Sequence, residues 1–316
     1  MRRRDFLQLC LGAGLMGLSG KARAQAPAGA KGLRIGYQKN GVLVIARQQA
    51  SLERKLAPRG IEVKWSEFIS GPPMLEAMNA GSVDIGQVGD TPPIFAQAAG
   101  AAILYVAGQP MTTGHGILVR QDSPIRTLAD LKGRRVGFTQ GSAAHNVTLM
   151  ALEKANLTYA DITPVYLSPP DGAAAFVSNG IDAWAIWDPY FALGQVHGGR
   201  ILVNASEIGK TNSFYIGNRD FVARDPQLLR DVLDTLAEIS KWAESNRQKV
   251  AKVLAEVTGV DLDVQTIAAN RSSFVVGKLT GDVIATQQAV ADRFQRLSLI
   301  PRPILVRDAV WGGALA

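Results

Sequence analysis

Two stretches of the chain repeat one pattern. The first reads Pro72-Pro73, then Val83-Asp84-Ile85-Gly86-Gln87-Val88-Gly89-Asp90, then Pro92. The second reads Pro169-Pro170, then Ile181-Asp182-Ala183-Trp184-Ala185-Ile186-Trp187-Asp188, then Pro189. In both, an Asp lies six positions before a second Asp, and a Pro-Pro pair lies upstream at a similar distance. Each stretch reads as a helix, a short loop, a buried strand and a new helix opened by Asp or Thr and Pro. A strand that runs into a helix start presents free backbone N–H groups and the positive end of a helix dipole. Two such units predict two similar lobes that offer anion-binding helix starts to a shared cleft.

The alternation of strands and helices predicts an α/β fold with parallel sheets covered on both faces. Strands are expected at 33–37, 61–65, 83–88, 103–107, 116–120, 135–139, 163–167 and 181–186, with a return strand at 213–217. Helices are expected at 42–57, from 70 to 79, 92–99, 142–155 and 171–178. Leu228, Leu229, Val232, Leu233 and Leu236 then open a mostly helical remainder. Residues 25–114 and 214–316 form the first lobe in this reading, and 115–213 form an inserted second lobe. Two crossings between the lobes make a two-strand hinge. Ligands in such sheets bind at the carboxyl ends of strands, and closure of the lobes buries them.

The chain has 316 residues, of which 47% are hydrophobic, enough for two cored lobes. The formal charge is +7, and residues 1–24 carry five basic side chains against Asp5. Removing that segment leaves +3 with no basic run, which excludes nucleic acid as a partner. Arg2-Arg3-Arg4-Asp5-Phe6-Leu7, an apolar run to Leu18 and Ala22-Arg23-Ala24 read as an export signal of twin-arginine type cleaved after Ala24. An ordinary Sec signal with a basic start is the alternative. Cys10, the one cysteine, lies inside this segment. The mature chain then has no disulfide, thiol nucleophile or Cys-ligated metal.

His115, His145 and His197 are the three histidines, and none sits in a metal-ligand motif. No Walker loop, Gly-x-Gly-x-x-Gly or Gly-x-Ser-x-Gly occurs, so neither a catalytic constellation nor a cofactor is expected. Binding reads better. Ser142 is expected to cap a helix while Ala143 presents its N–H outward, with His145 and Asn146 donating from one turn in. Asp90-Thr91 offers the same geometry from the other lobe. Trp184 and Trp187 lie three apart on a strand and face opposite ways, so Trp187 walls the cleft while Trp184 is core. Asp90 and Asp188 read either as structural N-caps or as cleft-facing groups that orient a ligand's neutral or cationic end; as a cap, Asp188 has little attraction for an ammonium. Gln38, after the first strand, adds a neutral donor. Asp84 and Asp182 read as structural. This set suits a singly charged anion with several acceptor oxygens and an apolar tail, such as a sulfonate.

Leu33 to Lys39, Gly89 to Ala101, Ser142 to Asn146, the run Asp182-Ala183-Trp184-Ala185-Ile186-Trp187-Asp188-Pro189-Tyr190 and Ser213-Phe214-Tyr215 resemble periplasmic aliphatic sulfonate-binding proteins. The likeness runs from about residue 33 to Arg307-Asp308-Ala309-Val310-Trp311. The resemblance implies the two-lobed periplasmic-binding-protein fold and a monomer. It also implies capture of alkanesulfonates for the membrane permease subunits of an ATP-binding-cassette importer. Tyr215 joins the binding set on the same ground, and Pro72 joins it from the first of the two repeated stretches. Where this chain has Ala143 or Ala144, the family pattern often has serine. Binders of taurine, nitrate or a thiamine pyrimidine precursor share the fold, as do thiamine-pyrimidine synthesis enzymes.

Overall fold

The computed structural model describes residues 32–110 and 112–314. The export segment and its cleavage after Ala24 lie outside the described residues.

In chain order the first sheet gathers β1 (Gly32–Tyr37), β2 (Glu62–Glu67), β3 (Ile85–Gly89) and β4 (Ile103–Gln109). Between these strands run α1 (Gly41–Gln48), α2 (Ser51–Leu56), α3 (Gly71–Asn79) and α4 (Thr91–Ala98). The chain then enters a second sheet through β5 (His115–Arg120), β6 (Arg135–Phe138), α5 (Ala143–Lys154), β7 (Thr163–Tyr166) and α6 (Pro169–Val177). It completes that sheet with β8 (Ala183–Trp187), α7 (Tyr190–Val196) and β9 (Gly199–Asn204). It returns through β10 (Ser213–Asn218) and ends in α8 (Arg219–Arg224), α9 (Pro226–Ser245), α10 (Arg247–Thr258), α11 (Leu262–Arg271) and α12 (Gly281–Arg296).

The sheet orders are β2-β1-β3-β10-β4 and β7-β6-β8-β5-β9. The two lobes are therefore built alike, and each takes in one strand that arrives from a crossing. Those strands correct the all-parallel expectation. β10 runs antiparallel to β3 and β4, and β5 runs antiparallel to β8 and β9. The cause is geometric. The parallel strands end at the cleft, and a short crossing delivers the next strand to that same edge. Ser213 thus pairs with Gly89, and His115 pairs with Trp187, each at a strand's cleft end.

The repeated Asp has one role in both lobes. Asp84 Oδ2 accepts the Arg34 backbone N–H at 2.8 Å and Nε at 3.0 Å, while its Oδ1 accepts Nη2 at 2.6 Å. Asp182 makes the matching bonds to Arg135, at 2.8, 3.2 and 2.9 Å. Each pair ties the start of a first strand to the start of its neighbour. Bidentate guanidinium–carboxylate geometry suits that task.

Two differences from the sequence reading are local. The single helix expected at 42–57 is broken at Ala50, whose φ is +47°. The break lets Val42 to Ala46 and then Leu52 and Leu56 face one core from two directions. β9 is not anticipated, because Gly198-Gly199 reads as a turn and its half-buried edge position erases any clear alternation. Along α9, Leu228, Leu229, Val232, Leu236, Ile239 and Ala243 fall at helical spacing and pack into the same core. Among the described residues no helix is long and apolar enough to cross a membrane.

Candidate ligand-binding cleft

A cavity lies between the lobes where the strand ends and both crossings meet. The first lobe supplies Gln38, Asn40, Gly71, Gln87, Gly89, Asp90, Pro92 and Gln109. The second supplies Ser142, Ala143, Trp187 and Asp188. Thr112, Gly114 and His115 come from one crossing, Thr211, Asn212 and Ser213 from the other, and Ser272-Ser273 follow α11. Among the described residues, the lining contains two carboxyl groups, many neutral donors and no Lys or Arg.

The start of α5 is set by a tight loop. Gly141 takes φ +69°, a left-handed value that favours glycine. Ser142 is extended, and its Oγ donates to the Thr139 carbonyl at 2.7 Å. The expected cap is therefore absent: the hydroxyl is turned back toward the loop. Helix geometry leaves the Ala143 N–H without an intrahelical acceptor, and Ala143 lines the cavity. Opposite it, a Cβ on Gly89 would lie 2.7 Å from the Ala143 Cβ. Only glycine lets the two lobes approach this closely at the helix start.

Asp90 and Asn146 meet across the cleft. Asp90 Oδ1 accepts from Thr91 Oγ1 at 2.8 Å, and Oδ2 accepts from Asn146 Nδ2 at 2.7 Å. Arg293 Nη1 donates to Asn146 Oδ1 at 2.9 Å, and Arg293 Nε donates to Glu153 Oε2 at 2.9 Å. Burial pushes the Asp90 carboxyl up to about 6, against these hydrogen bonds.

The structure divides the sequence-predicted residues. Gln38, Asp90, Ser142, Ala143, Trp187 and Asp188 come together in the cavity wall. Pro72, Thr91, His145, Asn146 and Tyr215 do not line it. Gly71 takes the place expected of Pro72, and Thr91 is fully buried with its hydroxyl on Asp90. His145 is 1% exposed, stacked on Phe138 at 4.9 Å and edge-on to Phe294 at 5.0 Å. Its Nδ1 accepts the Gly141 N–H at 3.3 Å, and burial lowers its pKa to about 4. His145 thus supports the loop before α5 as a neutral ring. For His145 the reason is rotational, since two residues on is about 200° around the helix from Ala143. Asn146 shares Ala143's face, but its amide is taken up by Asp90 and Arg293. Tyr215 sits fully buried in the first-lobe core, where burial pushes its hydroxyl pKa up.

Trp184 is core and Trp187 faces the cavity, as strand alternation requires. The N-cap of α7 is Pro189, not the expected Asp188, but from one position earlier Asp188 Oδ1 accepts the Ala192 N–H at 2.9 Å. Its carbonyl accepts from Asn40 Nδ2 at 2.9 Å, a second bond between the lobes. Arg271, on first-lobe α11, places Nη1 3.8 Å from Oδ1. Oδ2 is enclosed without a hydrogen-bond partner. Burial outweighs Arg271 and Ala192 and pushes the carboxyl up to about 7.

Sequence reasoning missed Asn40, Gln87, Gln109, Thr112, Gly114, Thr211, Asn212 and Ser272-Ser273. Gln38 Nε2 donates to the Gln87 carbonyl at 3.1 Å, Gln87 Nε2 donates to Gln109 Oε1, and Gln109 Nε2 donates to the Ser273 carbonyl. His115 Nε2 lies 3.2 Å from Thr211 Oγ1, which joins the two crossings. Burial lowers His115 to about 4, so this ring too is neutral. The position of the crossings was the available signal, because hinge segments border the cleft by construction. Among the described residues, no group of three or more His, Cys, Asp or Glu is placed to hold a metal.

The NMT1/THI5-like family model matches residues 57–273. The alkanesulfonate-binding protein SsuA from Xanthomonas axonopodis pv. citri, solved bound to MOPS, is 42% identical with a TM-score of 0.85. That match covers 90% of this chain and 99% of that one. The periplasmic aliphatic sulphonate binding protein SsuA from Escherichia coli is 39% identical with a TM-score of 0.81, covering 89% and 92%. A Bacillus subtilis (strain 168) relative, named for aliphatic sulfonates binding, is 31% identical over 306 residues, 96% of this chain and 91% of its own. The chain belongs to the NMT1/THI5-like family and, within it, to the aliphatic sulfonate-binding proteins.

Proposed function

We propose that the protein captures short alkanesulfonates between its two lobes and delivers them to the membrane permease subunits of an ATP-binding-cassette importer. The observation that carries this is the cavity wall: donors from both lobes, the start of α5, and no Lys or Arg. A sulfonate keeps one negative charge at any biological pH and only accepts hydrogen bonds. Neutral donors and a helix start can hold it without a counter-ion. The tail lies against Trp187. Bonds such as Asn40–Asp188 and Asp90–Asn146 form only with the lobes together, so they belong to the closed state that retains ligand.

In this reading the chain binds without chemistry, acts as a monomer, and works in the periplasm after cleavage behind Ala24. Relatives named as periplasmic binding proteins support the location. Replacing Arg3 and Arg4 with Lys is expected to block export; normal export would mean the Sec route. The ligand is tested by a thermal-shift panel of alkanesulfonates, MOPS, taurine, sulfate, nitrate and pyrimidines, in buffers free of sulfonates. A ligand at 100 times its dissociation constant adds about 2.7 kcal/mol of stability. Stabilisation by nitrate or pyrimidines, with none from any alkanesulfonate, would overturn the assignment.

A further inference from the structure

Asp188 is badly placed for a carboxylate. It belongs to the second lobe, yet the first lobe closes over it with Asn40 and Arg271. It is 6% exposed, and its buried Oδ2 has no hydrogen-bond partner among the described residues. Gly114 seals that oxygen: a Cβ there would lie 2.5 Å from Oδ2. The residue also lines a cavity that has a second carboxyl, Asp90, and no cationic side chain in its wall. An anionic ligand adds a further negative charge to this space. Like charges confined together and removed from water favour the neutral carboxyl.

We propose that closure over the ligand is coupled to uptake of one proton by Asp188, drawn from the solvent, so that the cleft neutralises its own charge as it captures an anion. The proposal rests on the sulfonate-binding reading of the same cavity. With the lobes apart, Arg271 and Asn40 leave and the cleft side of Asp188 meets water, so the carboxylate ionises more readily than in the closed state, although Gly114 stays beside Oδ2. With the lobes together the same group is pushed up to about 7.

The surrounding groups leave this effect visible. Arg271 is the cation facing Asp188 and acts against protonation, but at 3.8 Å it makes no hydrogen bond to the carboxylate, and its Nη2 donates instead to Gln195 Oε1 at 2.5 Å. Ala192 donates to Oδ1 from α7 and also favours the charged form. His115, on β5 beside Gly114, is lowered to about 4 and carries no charge in the closed state above pH 6. Asp90 faces Thr91, Asn146, Gln287 and Arg293 and adds proton uptake mainly below pH 6. His145, in the aromatic contact between the lobes, releases protons on burial, the opposite sign. Comparing variants separates these contributions.

Calorimetric titration of propanesulfonate into the whole exported protein tests the coupling. It should be run between pH 6 and 8 in phosphate, imidazole and Tris, whose ionisation heats differ. A one-unit pKa shift corresponds to tenfold in affinity. The wild type should bind about tenfold more tightly at pH 6 than at pH 8 and take up protons near pH 7. Asp188→Asn should hold its affinity within about twofold over that range and bind more tightly than wild type at pH 8, which a merely structural defect would not produce. Arg271→Gln should move the wild-type pH dependence to higher pH. Equal proton uptake by wild type and Asp188→Asn would overturn the proposal, as would a wild-type affinity that does not vary with pH. Failure of propanesulfonate to bind at any pH would instead remove the sulfonate reading beneath it.

Discussion

Asn146 on the second lobe holds Asp90 on the first with a 2.7 Å hydrogen bond, and its other side-chain atom takes a 2.9 Å bond from Arg293. One amide thus satisfies a buried carboxylate and a guanidinium from the opposite lobe. Asn146→Ala removes both bonds at once. Leaving a buried acceptor without its partner costs about 1–3 kcal/mol, and more for a charged one. Thermal unfolding should fall by several degrees at pH 7, with a smaller loss at pH 5, where Asp90 is protonated. An unchanged midpoint at pH 7 would mean that this bond does not hold the lobes.

The buried groups make opposing contributions to stability with pH. Asp90, raised to about 6, binds its proton more tightly folded than unfolded. Its contribution is therefore full below about 4 and is lost as pH rises through 6. His145, lowered to about 4, contributes in the reverse sense: stability is present above about 6.5 and is lost as pH falls toward 4. Asp188 acts like Asp90, and His115 acts like His145. The four largely offset each other in the wild type. Asp90→Asn should make stability climb more steeply between pH 4.5 and 6.5, and His145→Phe should make it fall. Denaturant titrations of the closed protein, saturated with propanesulfonate, at several pH values check this; parallel profiles for both variants would contradict it.

Ala143 sits at the first position of α5, where proline is tolerated, and Ser142 before it is already extended. Ala143→Pro therefore removes one N–H without breaking the helix. Losing a hydrogen bond to a charged group costs about 1.5–3 kcal/mol, roughly ten- to a hundredfold in affinity. A folded Ala143→Pro protein that binds propanesulfonate as tightly as wild type would remove this donor from the head-group site.

Trp187 offers the flat apolar face of the cavity, and the enclosed Asp188 Oδ2 is not open to an ammonium. Propanesulfonate should bind more tightly than taurine, whose ammonium would lose water beside the indole. Trp187→Ala should weaken propanesulfonate more than methanesulfonate, because the longer tail covers more of the ring. Equal losses for the two ligands would place the tail elsewhere.

What the sequence made legible was whatever follows from short spacing. Strands ending in Gly89-Asp90 and Trp187-Asp188, the start of α5 and the opposite faces of Trp184 and Trp187 all depend on neighbours within a few residues. The repeated Asp was legible as structural, though not its partner, since Arg34 lies 50 positions from Asp84. His145 and Asn146 were misplaced because distant partners hold them: Phe138 and Phe294 enclose the ring, and Asp90 and Arg293 take the amide. Gln87, Gln109 and Ser273 escaped notice because long-range pairings bring them to the cleft. β10 sets Ser213 between Gly89 and Gln109, and no local pattern encodes that register.

Neutral donors and a helix start should suffice to bind a singly charged sulfonate in this cleft. The most direct measurement is calorimetric titration of the exported protein with propanesulfonate, sulfate and nitrate, in phosphate buffer at pH 6.5. One propanesulfonate should bind saturably per chain, and neither sulfate nor nitrate should bind. Binding of nitrate or sulfate with no heat from propanesulfonate would contradict it.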